Sequence, residues 1–307
     1  MYKLKQIPSD FIVEEINKDL KLNESGNYST YKLTKKEYNT VDAIRRISDK
    51  WNIPIKFFNF AGTKDRNAIT YQYITISKGP RKDLELKDLK LEYLGQREER
   101  LNLGNLDGNK FIITIRNIDQ KPKTISSMPN YFDSQRFGRD DNNDVVGKLI
   151  IEKEFQKAEE LIGEKIEKLP KNIAKMYVHA YQSRLFNDML KKRIGKVENS
   201  KFEDFLFPKN KLENENLPLI GFGTEETEEV EEILEKEDIT LRDFIIRRHS
   251  YLSSEGESRN SFIEIKKLKV DEIEDDYLNE GKKKCKVEFI LPSGSYATIA
   301  IKAMLAR

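Results

Sequence analysis

Along the first 125 residues apolar and polar positions alternate with a period of two in several short runs, as in strands that bury one face. PSDFIVEEI (8–16) starts at a turn and runs into such a strand; YSTYKLTKK (28–36), FFNF (57–60) and TYQYITIS (70–77) follow. LKLEYLGQ (89–96) continues the pattern, and FIITIRNI completes it beyond the turn signal Asp107-Gly108. Between these runs the period changes once. Val41, Ile44, Ile47 and Trp51 share one face of a helix that Thr40 caps and Pro54 limits. From Met128 the texture turns helical. IAKMYVHAYQSRLFNDMLKKRIG (173–195) spaces Ile173, Met176, Ala180, Leu185, Met189 and Leu190 as a helix does, with Lys191, Lys192 and Arg193 in its last turn and Gly195 as its stop. TEETEEVEEILEKED (224–238) predicts an acidic amphipathic helix with Val230, Ile233 and Leu234 inward. FIEIKKLKVDEI (262–273) and CKVEFILPSGSYATIAIKAML (285–305) return to strand texture around a tight turn at 292–295. Strands at both ends of a helical middle predict an insertion. Residues 1–127 and 266–307 build one sheet-based domain, and 128–265 a second.

Composition narrows the class. The 307 residues include 55 Lys and Arg against 53 Asp and Glu, a net charge of +2, and mean hydropathy is −0.70. Near-cancellation of charge means that any face able to bind nucleic acid must be local. One cysteine, Cys285, leaves no internal disulfide and no CxxC zinc pair, and two histidines, His179 and His249, argue against a histidine-based metal site. No apolar run approaches the ~18 residues of a membrane span, and MYKLKQIPSDF does not read as a signal peptide. The expectation is a soluble, cytoplasmic protein without a metal.

Chemistry concentrates in AGTKDRNAITYQ (61–72), a short loop between two predicted strands. Asp65 lies there between Lys64 and Arg66. Neighbouring cations favour the ionised carboxylate, and an ionised carboxylate on a rigid strand–loop–strand is a candidate nucleophile or base. Most charged loop residues are merely solvated, so the loop alone does not decide.

Six segments in order, PSDFIVEE, AGTKDRNAITYQ, LDGNKFIITIR, MPNYFDSQRFG, AYQSRLFN and FILPSGSYAT, resemble the TruD family of tRNA pseudouridine synthases over nearly the whole chain. The resemblance implies an α+β fold: a pseudouridine-synthase-like core on a mixed, mostly antiparallel sheet, with an inserted, mainly helical α/β TRUD domain. It also implies isomerisation of uridine to pseudouridine in tRNA, typically at position 13 of the D-arm, with no metal or organic cofactor. Asp65 matches the family's catalytic aspartate, as sugar nucleophile or as base. Lys5, three residues before Pro8, stands where the family places an active-site lysine, expected to pair with Asp65. Asn109 and Phe111 match its Asn-x-Phe pair, the ring to stack on the uracil and the amide to bond its edge or orient the loop. Phe289 matches a further aromatic near the base pocket, with a core residue as the alternative.

For RNA contact the candidates are Lys64, Arg66, Arg97, Arg116, Arg136, Arg139, Lys148, Arg247 and Arg248, with Gln135, Arg136 and Phe137 shaping a cleft. Gly62 and Gly294 are expected to meet backbone requirements. Where the family commonly has Asn-Tyr-Phe-Gly this chain reads Asn130-Tyr131-Phe132-Asp133, so strain is expected at Asp133 if that backbone is left-handed. The alternative classes are a non-catalytic RNA-binding protein or RNA chaperone, and a glycosidase-like hydrolase with Asp10 or Glu14 as second acid. A monomer is expected.

Overall fold

A computed structural model describes every residue except 18, 19, 103, 105 and 307. It divides into two compact units, residues 1–126 with 265–294 and residues 127–264 with 295–307. The last segment therefore groups with the second unit, whereas the sequence pattern joins all of 266–307 to the first.

The first unit is organised by alternation. Seven strands precede the excursion: β1 (Phe11–Ile16), β2 (Tyr28–Lys36), β3 (Phe58–Phe60), β4 (Ile69–Ser77), β5 (Leu84–Leu86), β6 (Leu89–Arg97) and β7 (Gly108–Ile118). Strands Lys266–Val270, Glu274–Asp275 and Lys283–Pro292 follow it. Among the described residues these ten form one sheet. Its main path runs Lys266–Val270, Lys283–Pro292, β7, β1, β4, β2, β6, β5, with β3 and Glu274–Asp275 pairing at the side. β1 and β4 run parallel, and the other pairings are antiparallel. One face packs on helix α1 (Thr40–Trp51): Tyr31, Leu33, Ile74, Ile76 and Leu91 meet Ala43, Ile44 and Ile47 in one buried cluster. Each such aliphatic side chain contributes about 1.5–3 kcal/mol of burial. Val41, expected on this face, is exposed instead. The α1 cap is Asn39, whose side chain accepts from Asp42 N, rather than Thr40.

Register places the chemistry. Phe111 pairs with Val13 on β1 and with Phe289 on the other side, while Asn109 pairs with Glu15 and Leu291. Gly108 makes that start of β7 fit, since a Cβ there would lie 2.4 Å from Leu291 O. Arg116, a candidate phosphate ligand on the sequence, is instead buried in the sheet. Its guanidinium lies 2.9 Å from Asp10 and 2.7 Å from Asp276. Burial alone would lower its pKa, but these acceptors hold it above the usual range.

The second unit is mainly helical. It holds α2 (Asn143–Ile151), α3 (Phe155–Ile162), α4 (Lys171–Gly195), α5 (Glu228–Glu237) and α6 (Ala297–Leu305). Three two-stranded pairs join them, Asn199–Phe202 with Phe205–Pro208, Asn216–Leu219 with Glu257–Asn260, and Ser127–Pro129 with Phe262–Glu264. Helix α4 is the centre. Ala174, Val178, Tyr181, Leu185 and Met189 share one buried cluster with Val146, Ile150, Val230 and Ile233. α2 approaches so closely that a Cβ on Gly147 would lie 2.1 Å from Tyr177 O. α6 corrects the strand texture expected at 297–305. Thr298, Ile299 and Ile301 favour strands locally, yet the segment is buried on nearly every side, and a helix satisfies its backbone without a partner strand.

Asp133 is unstrained, at φ −100°, and caps the short turn Ser134–Arg136 by accepting from Ser134 N. Its carboxylate pairs with Lys302 at 2.7 Å, and Lys302 reaches Glu203 at 2.9 Å. Nearby, Asn187 clasps the chain by accepting from Phe132 N and donating to Phe132 O.

Candidate active site

The loop between β3 and β4 carries Asp65, and Lys5 Nζ lies 2.9 Å from its Oδ2. The carboxylate stays 38% exposed, open enough for a substrate to reach. Lys5 has left-handed backbone, φ 57°, an uncommon state for a residue with a side chain. Its ammonium also sits 4.3 Å over the Phe11 ring. Phe11 meets Phe111 edge-on at 6.2 Å, and Phe111 stacks on Phe289 at 5.6 Å. Phe289 is fully buried and Phe111 7% exposed, so Phe289 supports the Phe111 ring and offers no surface of its own to a ligand.

The cations beside Asp65 in sequence serve other groups. Lys64 Nζ donates to Asn109 Oδ1 at 2.7 Å and lies 3.0 Å from Glu15 Oε1. Arg66 is exposed and pairs with Asp42 at 2.7 Å. In their place stands Lys35, fully buried on β2. Its Nζ donates to the carbonyls of Asp65 (2.8 Å), Lys64 (3.3 Å) and Tyr38 (2.5 Å). Burial pulls this ammonium down to about 8, with the Asp65 charge resisting and Lys64 assisting.

The rest of the loop is pinned from below. Thr40 Oγ1 accepts from Lys64 N at 2.8 Å and donates to Gln72 Oε1 at 2.9 Å, and Gln72 Nε2 donates to Gly62 O. Glu15 Oε2 accepts from Tyr73 N at 3.0 Å, and burial raises this carboxyl's pKa against the pull of Lys64. Gly62 itself has open space at its Cβ position, whereas Gly294 has φ 78°, so only the second meets a backbone requirement.

Lys5, Asp65, Asn109 and Phe111 are thus linked through two chains of contact in one unit, Lys5–Phe11–Phe111 and Asp65–Lys35–Lys64–Asn109. Lys35, Glu15, Thr40 and Gln72 were not legible as site residues. Only strand register and the burial of Lys35 reveal them; a lysine in the alternating run YSTYKLTKK reads as solvent-facing. Asp10 and Glu14, candidate second acids, are engaged elsewhere. Asp10 is buried against Arg116, and Glu14 pairs with Lys32 at 3.0 Å.

Arg136 belongs to the second unit, where it donates to Ser183 Oγ at 2.9 Å and lies over the Phe132 ring; burial lowers its pKa. Lys148, a candidate phosphate contact, instead pairs with Glu237 at 3.1 Å.

Sheet order and lysine-paired carboxylate together describe a pseudouridine-synthase-like α+β protein. The profile described as tRNA pseudouridine synthase D (TruD) matches residues 2–168, 162–217 and 216–304. The chain belongs to the TruD family. It is 31% identical over 386 aligned positions to a probable tRNA pseudouridine synthase D 2 of Methanocaldococcus jannaschii, covering 98% of this chain and 90% of that protein. It is 30% identical over 407 positions to a probable tRNA pseudouridine synthase D of Methanosarcina acetivorans, covering 98% and 91%. The crystal structure of the putative tRNA pseudouridine synthase D of Methanosarcina mazei superposes with a TM-score of 0.74 at 27% identity, covering 99% of this chain and 93% of that one.

Proposed function

We propose that this chain isomerises uridine to pseudouridine in tRNA, at position 13 of the D-arm, with Asp65 as its catalytic carboxylate. The reaction breaks the bond from C1′ to N1 of uracil, turns the freed base and joins C1′ to C5. A proton leaves C5 and one is taken up at N1, so no atom is gained or lost. The carboxylate acts on the sugar as nucleophile or removes a proton as base; Lys5 keeps it ionised and oriented in either role. Phe111 retains the loose uracil by its ring, held from behind by Phe289, and Asn109 shares Lys64 with Glu15 beside it. Lysine ammonium groups balance the Asp65 charge, and the reaction as written calls for no metal or organic cofactor. No helix among the described residues is long and apolar enough to cross a membrane. We place its action in the cytoplasm, where tRNA is handled.

The observation that carries this reading is the 2.9 Å Lys5–Asp65 contact on a loop anchored by buried Lys35. The test is pseudouridine mapping on an unmodified tRNA transcript with the wild type and Asp65→Asn. A new pseudouridine at one D-arm position is expected, with the variant slower by about 10³-fold or more and its tRNA affinity nearly unchanged. Tight tRNA binding with no modified position would leave the RNA-binding reading standing instead.

A further inference from the structure

The second unit has a cavity of about 430 Å³ lined by Lys153, Phe155, Arg242, Asp243, Ile245, Arg247 and Arg248. It contains no residue of the Asp65 site. Four cations face one carboxylate here, a local surplus larger than the net +2 of the whole chain. Asp243 is largely engaged, since its Oδ2 accepts from Thr240 N and Oγ1. Lys153 Nζ donates to the carbonyls of Ile151 and Asp243, and burial lowers its pKa. Arg248 lies 5.3 Å over the Phe155 ring and 3.4 Å from Glu167. Arg242 and Arg247 are exposed and have no ion-pair partner among the described residues. The apolar part is Phe155, half-buried, beside Ile245, which is 42% exposed.

Four cations beside an aromatic and an aliphatic side chain suit a ligand with fixed negative charge and an apolar part. A pocket of this size takes about one nucleotide. Helix α5 of the same unit carries acid on its outer face, so charge is unevenly arranged within the unit. We infer that this pocket docks the phosphodiester backbone of RNA, with Arg242 and Arg247 on the phosphates and Phe155 and Ile245 against the adjoining sugar or base. The inference rests on the reading of the chain as a tRNA-modifying enzyme, and it adds a second point of attachment for the substrate. Arginine suits this role because its planar fork matches phosphate oxygens, while Phe155 and Ile245 offer apolar contact to the adjoining sugar or base.

The test is binding of an unmodified tRNA transcript by fluorescence anisotropy, from about 50 to about 300 mM salt. The proteins are the wild type, Arg242→Ala/Arg247→Ala and Arg242→Lys/Arg247→Lys. The alanine pair is expected to bind about tenfold more weakly at low salt and to lose about 1–2 from the slope of log K against log salt. The lysine pair keeps the slope. Single-turnover rate at saturating tRNA falls less than affinity in the alanine pair, because both side chains act on binding and neither touches the reacting atoms. His249 offers an independent readout, its ring 5.3 Å from Phe155 and one of only two imidazoles in the chain. Its NMR resonances should move on RNA addition in the wild type and not in the alanine pair. Unchanged affinity and slope in the alanine pair would overturn the inference, as would a wild type that does not bind tRNA. A wild type that binds tRNA without modifying it would sink the proposed reaction, and the comparison of slopes would still decide the pocket.

Discussion

Lys35 is the residue on which chemistry and stability pull in opposite directions. Its folded pKa of about 8 lies below the 10.5 of an ordinary lysine. The cost of burying its charge is therefore complete below about 8 and disappears as pH rises from there towards 10.5. Its contribution to folding stability grows with pH across that window. The same loss of charge removes a cation from beneath Asp65, so turnover should fall over that range. Single-turnover rates and urea midpoints measured in parallel from about pH 7 to 10 should diverge, and a flat rate profile would count against this role. Thr40 makes a second prediction. Thr40→Val keeps the shape but leaves Lys64 N–H and Gln72 without their partner, at a cost of about 1–3 kcal/mol. The modification rate should drop about tenfold with tRNA affinity little changed, because the loop loses position and the surface loses nothing. Equal loss of affinity would show that the hydroxyl acts on binding.

At the level of elements, period and turn chemistry were enough where one face of a strand is buried and the other wet. β2 spans Tyr28–Lys36 and β4 Ile69–Ser77, close to the runs read from alternation. The acidic helix α5 likewise buries Val230, Ile233 and Leu234. Illegible parts depend on partners far along the chain. β-branched residues in 297–305 point to a strand, and only burial on nearly all sides makes α6 a helix. Thr40 looks like a cap and Asn39 takes that place, because the Thr40 hydroxyl is committed to the Asp65 loop. Within the site, motif order carried Lys5, Asp65, Asn109 and Phe111, while Lys35 and Glu15 needed strand register. The same dependence governs Asp133, whose carboxylate is matched by Lys302 on α6. Both groups are buried, with side-chain exposures of 4% and 8%. Lys302→Met should destabilise the protein by about 3–5 kcal/mol, since it leaves a buried carboxylate without its main counter-charge. Denaturant unfolding reads this directly. A loss below about 1 kcal/mol would mean that Asp133 finds water or another donor.

On the scale of the whole molecule, a nearly neutral chain must bind a polyanion by arranging its charge, so tRNA affinity should fall steeply and linearly in log–log terms with added salt. A shallow dependence would mean that few phosphates are touched. The order in which the first unit is assembled has a consequence for the newborn chain. Lys5, Asp65, Asn109 and Phe111 have all been synthesised by residue 126, yet the strand that pairs with β7 and carries Phe289 lies at Lys283–Pro292. Until it leaves the ribosome, β7 offers an unpaired, apolar edge, and Arg116 has Asp10 but not Asp276. The helical insertion thus acts as a delay line. Lys5, Asp65, Asn109 and Phe111 are made early, and the strand that backs the Phe111 ring comes only after the insertion, so a chain cut short by a nonsense codon in the insertion would carry those four residues without the support behind Phe111.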